Sequence, residues 1–359
     1  MQIHLKGGSI VKRFDYSFLR NINVPVSFLS FTNAIYSLRK MQDERKRLYP
    51  DIFTSLQNLA IVQSIKSSNE IEGIVTTDKR IEEIVNQNSA PLNHNEQEIA
   101  GYRDVLKLIH ERNEEMSLTE KLVLNFHKIL MQNVDNDNCG QYKKEDNIIR
   151  VTYSDGTSGI RWIPTSPKDT PKAIEQLYIA YMDARDDSTI DQLLLIPCVI
   201  LDFLCIHPFR DGNGRISRLI SLLLLYKNGF DISRYISFEE KINTMKNRYY
   251  ESLKQSSIGW HDNTNDYIPF IENFLYTLYL CYKELDKRFL TLGSKKVKKK
   301  ERIEKAIINA FLPISKKELH ELYPDISITT IEEVLSSMVR NGIIVKVGTA
   351  KNIKYIKKF

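Results

Sequence analysis

Cysteine is scarce in this sequence, and the four present, Cys139, Cys198, Cys205 and Cys281, are scattered with no C-x-x-C pair among them. That spacing offers neither a zinc clip nor a redox dithiol, and no His-rich tract makes up the difference. The thiols read as reduced core groups. Long uninterrupted apolar runs are missing too: the most apolar stretches, 193–206 and 216–225, carry Pro197, Asp202 and Arg218, which makes them poor membrane spans. No apolar signal-peptide core follows Met1, so a cytoplasmic protein without a membrane partner is expected. There is no G-x-x-x-x-G-K-[ST] phosphate loop. The cluster around Gly212 and Gly214 is no dinucleotide fingerprint either, since Ser217 replaces the third glycine and no strand precedes it. Charge of one sign is not in marked excess. The 51 Lys and Arg against 45 Asp and Glu leave +6, which permits an acidic partner without demanding one.

What is present is an ordinary folded composition. With 42% apolar and 27% charged residues the chain can bury a sizeable core, and its 359 residues exceed the roughly 100–200 of one domain. Helical spacing dominates, over 26–49, 51–69, 78–86, 95–112, 119–134, 171–184, 242–254 and 267–290, besides the two apolar stretches above. A helix in 119–134 would be capped by Ser117 or Thr119. His110 and His127 fall inside these patterns without a carboxylate or second histidine at ligand spacing, and read as structural. Residues 148–153 and 159–164 are β-prone around Ser154-Asp155-Gly156, which predicts a hairpin.

Between the two apolar helices lies His207-Pro208-Phe209-Arg210-Asp211-Gly212-Asn213-Gly214-Arg215-Ile216-Ser217-Arg218. Polar residues between core helices need a reason. Gly212 and Gly214 permit tight turns and close approach of a ligand, and the helix restarting near Gly214 aims its free N–H groups back into the turn, which makes an anion site. Arg215 and Arg218, three apart on the first turn, offer two planar forks for phosphate oxygens. Asp211 is placed to share a Mg²⁺ ion with substrate phosphates, and His207 is a candidate general base. Taken singly, each has a plainer reading: a capping histidine, two salt-bridging arginines, two turn glycines. Their clustering favours a polyphosphate site.

These residues closely resemble the Fic family, whose signature HPF-x-[DE]-GNGR-x-x-R is matched at every fixed position from His207 to Arg218. The resemblance implies a mainly α fold, a Fic-type helical domain with a β-hairpin flap, and a nucleotidyltransferase that moves AMP from ATP onto a hydroxyl side chain of a target protein, releasing pyrophosphate. It implies His207 as base, Asp211 as Mg²⁺ ligand, Gly212, Asn213 and Gly214 as phosphate cradle, and Arg215 and Arg218 as phosphate ligands, with Phe209 a core anchor. A related phosphorylating branch replaces the Gly-Asn-Gly element that this chain keeps.

Upstream, the helix over 51–69 runs into Ser67-Ser68-Asn69-Glu70-Ile71-Glu72-Gly73, where Gly73 has the place of a C′ glycine and Glu72 is an acid at the unfavoured end of a helix dipole. The family's inhibitory helix carries [ST]-x-x-x-E-[GN], matched from Ser68 to Gly73. This implies that Glu72 pairs with Arg218 and spoils the seating of the ATP γ-phosphate. The predicted hairpin corresponds to the family's flap, whose Gly159, Ile160, Arg161 and Trp162 would hold a target segment, with Ile160 and Trp162 on one face. A plain surface hairpin is the alternative. Tyr249 and Tyr250 match a tyrosine pair near the family's adenine site, although aromatics at helical spacing also suit a core.

The lysine run at 295–300 marks a linker. Beyond it, 302–311, 316–322 and 329–341 read as helices and 343–347 with 353–356 as a hairpin, the pattern of a winged helix-turn-helix. Glu332 and Glu333 on its third helix would repel phosphate, so a protein-packing module stands beside a DNA reader. The expected division is an N-terminal region 1–92 with the inhibitory helix 51–73, a catalytic domain 93–293, a linker 294–300 and a winged helix 301–359. Expected partners are a target protein with a Ser, Thr or Tyr hydroxyl, the chain itself as target, a second copy in a homodimer, and DNA or protein at the C-terminal module. Two rival readings are a DNA-binding or toxin–antitoxin-type regulator with a secondary Fic site, and removal of AMP by the same site with Glu72 positioning water.

Overall fold

The computed structural model describes residues 12–134, 137–152, 158–293, 298–308, 310, 313–348 and 353–358. Its first half runs α1 (Val26–Leu48), α2 (Pro50–Ile71), α3 (Asp78–Gln87), α4 (His94–Arg112), α5 (Glu120–Met131), β1 (Ile149–Thr152), β2 (Ser158–Trp162), α6 (Thr170–Arg185) and α7 (Gln192–Ile206). Then come α8 (Asn213–Lys227), α9 (Phe238–Thr244), α10 (Lys246–Ser257), α11 (Ile268–Gly293), α12 (Lys299–Ile308), β3 (Ile314–Ser315), α13 (Lys316–Leu322), α14 (Ile328–Arg340), β4 (Ile344–Val347) and β5 (Lys354–Lys357). The protein is mainly helical, as its periodicity predicts.

Helix starts follow local chemistry. Thr77, Asn93, Thr119, Asp191, Ser237, Ser315 and Ser327 each accept a backbone N–H of the first turn, so the cap of α5 is Thr119 rather than Ser117. The segment 242–254, with its aromatics at helical spacing, falls in two helices, because Ser237 starts α9 and Met245, at φ −113° and ψ 32°, breaks the helical path before α10. No glycine or proline announces that break. The turn Ser154-Asp155-Gly156 and the 294–297 part of the linker lie outside the described residues.

The chain divides into two compact units, Met1–Tyr36 with Ala60–Cys281, and Ser37–Leu59 with Tyr282–Phe359. The first is built on the antiparallel pair α7 and α8, with α6 against α7 and α4 against α5 and α8. Leu193, Leu195, Ile196, Leu201 and Ile206 of α7, and Ile216, Leu219, Leu222 and Leu223 of α8, are fully buried. A carboxylate lies among them. Asp202 accepts hydrogen bonds from Tyr16 Oη (2.8 Å), Trp260 Nε1 (2.6 Å) and Tyr267 Oη (2.9 Å), which offset the cost of burying it, and burial still pushes its carboxyl above the ordinary range.

In the second unit, α12, α13 and α14 close on Ile303, Ile307, Leu319, Ile326, Ile331, Leu335 and Met338. A sheet of order β3-β5-β4 adds Ile344 and Tyr355 to that core. Ser315 and Glu318 form a reciprocal capping box on α13. Arg302 holds both carboxylate oxygens of Asp325, at 2.6 and 2.8 Å.

Candidate active site

Helix α7 stops at His207, whose N–H still reaches Phe203 O (3.0 Å) while its own φ of 50° turns the chain into the left-handed region. Phe209 then plugs the core with no exposure. Asn213 pins that plug: its Oδ1 accepts from Phe209 N–H (2.9 Å) and its Nδ2 donates to Phe209 O (2.8 Å). Gly212, at φ 79°, starts α8, and no side chain caps its first turn, so those N–H groups face the turn as the sequence implied. Asp211 accepts from Gly212 N–H at 2.6 Å, yet its side chain is 69% exposed at the rim.

The Nδ1 of His207 lies 3.4 Å from Leu204 O, an acceptor, so Nδ1 carries the proton and Nε2 is left as the basic nitrogen. Burial, then the charge of Lys143, lowers its pKa to about 4, so the imidazole is neutral at physiological pH. Sequence spacing did not single out Lys143. It is buried, burial lowers its own pKa to about 8, and it touches the turn directly.

The end of α2 meets α8. Its last turn is a Schellman motif, with Gly73 N–H on Glu70 O, Ile74 N–H on Asn69 O (both 3.0 Å) and Gly73 at φ 82°, as a C′ glycine requires. Arg218, 2% exposed, donates from Nε to Ser68 Oγ (2.8 Å) and from Nη2 to Ser68 O (2.8 Å) and Glu72 Oε1 (2.9 Å). Burial works against the Arg218 charge, and Glu72 together with Tyr249 and Tyr102 more than offsets it, holding the guanidinium's pKa above its ordinary value. Arg215 lies elsewhere. It is 1% exposed, with Nη2 2.6 Å from Glu98 Oε2 and 3.9 Å from Asp211 Oδ2.

A pocket of about 150 Å³ opens here, lined by Glu72, His207, Gly214 and Arg218 on one side and by Tyr249, Tyr250 and Lys254 of α10 on the other. Arg161 and Trp162 of β2 complete it. Gly159 pairs with Val151 and Ile160 with Arg150, but Trp162 pairs with Ile149, so the ladder skips Arg161. The alternation that would put Ile160 and Trp162 on one face is broken there. Ile160 is 56% exposed, Trp162 donates from Nε1 to Cys205 O (2.8 Å), and the Arg161 guanidinium sits 4.3 Å above the Tyr250 ring. Tyr249 is buried against Tyr250 and Phe270, so it has both core and pocket contacts.

Two further residues escaped the sequence reading. Glu98 carried no signal beyond its place on an amphipathic helix. His127, read as structural, is satisfied by hydrogen bonds but at the site: its ring stacks on Phe209 at 3.8 Å, Nδ1 accepts from Gly140 N–H (3.0 Å), and Nε2 therefore donates to Asp211 O (3.3 Å). His110 Nε2 lies 3.2 Å from Tyr226 Oη, away from the turn. Among the described residues no three of His, Cys, Asp and Glu form a metal cage, and no helix is long and apolar enough to cross a membrane.

The family model described as "Fic/DOC family" matches residues 117–225, which span α5 to most of α8 and contain the whole turn. A Fido domain-containing protein of Dictyostelium discoideum is 31% identical over 96 residues, covering 24% of this chain and 67% of that protein. The chain belongs to the Fic family. The chain is also similar to the protein adenylyltransferase Fic of Nematostella vectensis, at 26% identity over 246 residues, 65% of this chain and 52% of that one. The chain thus spans about half the length of that relative. A crystal structure of a Fic family protein from Desulfovibrio desulfuricans shares the fold, with a TM-score of 0.59 at 18% identity over 94% of this chain and 97% of the other. Within this Fic fold Arg218, Gly214, His207 and Glu72 share one pocket, while Arg215 and Asn213 are turned into the protein body.

Proposed function

We propose that the protein transfers AMP from ATP to a hydroxyl group of a target protein, and that Glu72 holds the reaction off by occupying Arg218. The observation that carries this reading is the meeting of Glu72 and Arg218, 146 residues apart, in the pocket that holds His207. A neutral imidazole with a free Nε2 suits proton removal from a hydroxyl. The hydroxyl oxygen then bonds to the α-phosphorus, the α-phosphorus bond to the bridging oxygen breaks, and pyrophosphate leaves with that electron pair. The proton ends on His207.

Negative charge grows on the phosphates during that step, and the uncapped N-terminus of α8 at Gly212 and Gly214 is aimed to receive it. Arg218 would add a guanidinium, but its Nε and Nη2 donors are engaged by Ser68 and Glu72. Arg215 and Asn213 support the cradle from behind, through Glu98 and Phe209. Asp211 fits a Mg²⁺ ligand: it is a single carboxylate at the rim with an oxygen open to solvent, the donor set Mg²⁺ takes when phosphates supply the rest. The ion, when bound, would neutralise phosphate charge. Tyr249 and Tyr250 form the wall for the nucleotide base, and β1 with β2 is the flap, offering an open edge to a target strand.

For the second unit we propose a winged helix that binds protein. Three helices with a three-stranded sheet support that class, and Glu332 and Glu333 on α14 disfavour a phosphate backbone.

The test is incubation with ATP and Mg²⁺, alone and in lysate, followed by intact mass measurement of wild type and Glu72→Gly. The variant is expected to gain, or to confer on another protein, one AMP per modified hydroxyl. No adduct with either protein would sink the proposal.

A further inference from the structure

A helix end leaves its last carbonyls unpaired, and α7 ends on the residue before His207. The usual remedies are a glycine turn or a cation from the next few residues. Here the remedy comes from 63 residues upstream: Lys143 Nζ donates to Ile206 O at 3.3 Å. The backbone N–H of the same Lys143 donates to Pro208 O at 2.9 Å. One residue therefore grips the main chain immediately before and immediately after His207. The lysine is in turn fixed by Asn147, whose Oδ1 accepts from Nζ at 2.8 Å and whose Nδ2 donates to Phe209 O at 3.0 Å. The carbonyls of 206, 208 and 209 are thus all held by the short segment from Lys143 to Asn147.

An amine buried to 5% exposure is costly, and an apolar side chain would fill the space at less expense if filling were its task. What the amine adds is directional hold on a residue whose φ of 50° is unfavourable for any side chain with a Cβ. Asn147 also lies two residues ahead of β1, so the grip on the turn is continuous with the hairpin that borders the pocket.

We propose that Lys143 and Asn147 are positioning residues for His207, clamping the main chain on both sides of it and tying the aim of the imidazole to the first strand of the hairpin. This rests on the reading of His207 as base, so its test needs one readout that does not depend on transfer.

That readout is the imidazole resonance of His207 in the full-length protein, compared among wild type, Lys143→Met and Lys143→Arg. The methionine variant is expected to shift and broaden the His207 signals, and arginine, which can still donate to Ile206 O, to keep them near wild type. Unchanged signals in Lys143→Met overturn the clamp whatever the chemistry. In the Glu72→Gly background the self-labelling rate at saturating ATP should fall about 10–100-fold with Lys143→Met, recover with Lys143→Arg, and fall less with Asn147→Ala, while half-saturation by ATP stays within about twofold. Parallel loss of rate and ATP affinity, or equal loss with methionine and arginine, would mark the lysine as merely structural. If Glu72→Gly labels nothing while the resonances move as expected, the base reading fails and the clamp stands.

Discussion

Arg215 Nη2 lies 2.6 Å from Glu98 Oε2, and both side chains are almost wholly buried, at 1% and 6% exposure. The contact is a close charge pair rather than an aligned hydrogen bond, and the Nε and Nη1 of Arg215 have no protein acceptor. Removing the carboxylate strands a charge in a dry site. Glu98→Ala should therefore cost about 3–5 kcal/mol, far more than a surface substitution. Chemical denaturation would check this, and a loss below about 1 kcal/mol would mean that water reaches Arg215.

Glu72→Gly frees Arg218 from one of its three acceptors, the one that brings negative charge into the pocket. Self-labelling should rise by about tenfold or more, since misplaced phosphates are costly in rate. Adding His207→Ala should silence it, as general bases contribute ~10²–10⁴-fold. A single variant no more active than wild type, with a hydroxyl target in reach, would reduce Glu72 to an ordinary last-turn acid.

A Cβ added at Gly214 would come 2.1 Å from Glu72 Oε1 and 3.0 Å from Glu72 Cδ. Gly214→Ala should destabilise the wild-type protein by about 1–3 kcal/mol through that overlap. In the Glu72→Gly background the same change should cost clearly less, because only Arg218 Nη1, 3.3 Å from the added Cβ, is left to give way. Equal costs in the two backgrounds would show that Gly214 is constrained by something other than Glu72.

His207 and His110 have folded pKa values of about 4 and about 3 against an ordinary 6.5, burial being the main cause in both. Between pH 6.5 and those values the unfolded chain takes up protons that the folded protein refuses, so stability falls as pH falls through the window. Urea melts at several pH values should show that decline. The transfer rate of Glu72→Gly, limited by neutral His207, should stay level down to about pH 5 and fall only below it. An acid limb centred near 6.5 would place the imidazole in water.

The parts of this protein that could be read from its sequence are those whose causes are local. Thr119 caps the helix it precedes, and Gly73 ends α2 as its position suggests. The turn from His207 to Arg218 was legible because its chemistry is contiguous. Arg215 reads in the sequence as a second phosphate fork, and nothing near it there names Glu98 as its neighbour. Lys143 and His127 reach the turn from 63 and 84 residues away, and each is an ordinary residue type in an ordinary pattern. The skipped residue at Arg161 has no marker either, since a bulge depends on which strand is paired and where.

The left-handed conformation of His207 sets folding against chemistry at one residue. Glycine there would relieve a strain of about 1–2 kcal/mol, and asparagine part of it. Against that relief stand the packing of the imidazole and its contact with Leu204 O, so the residue holds its conformation through its surroundings rather than its own preference. What the backbone would gain from glycine it would lose in the imidazole that lines the pocket.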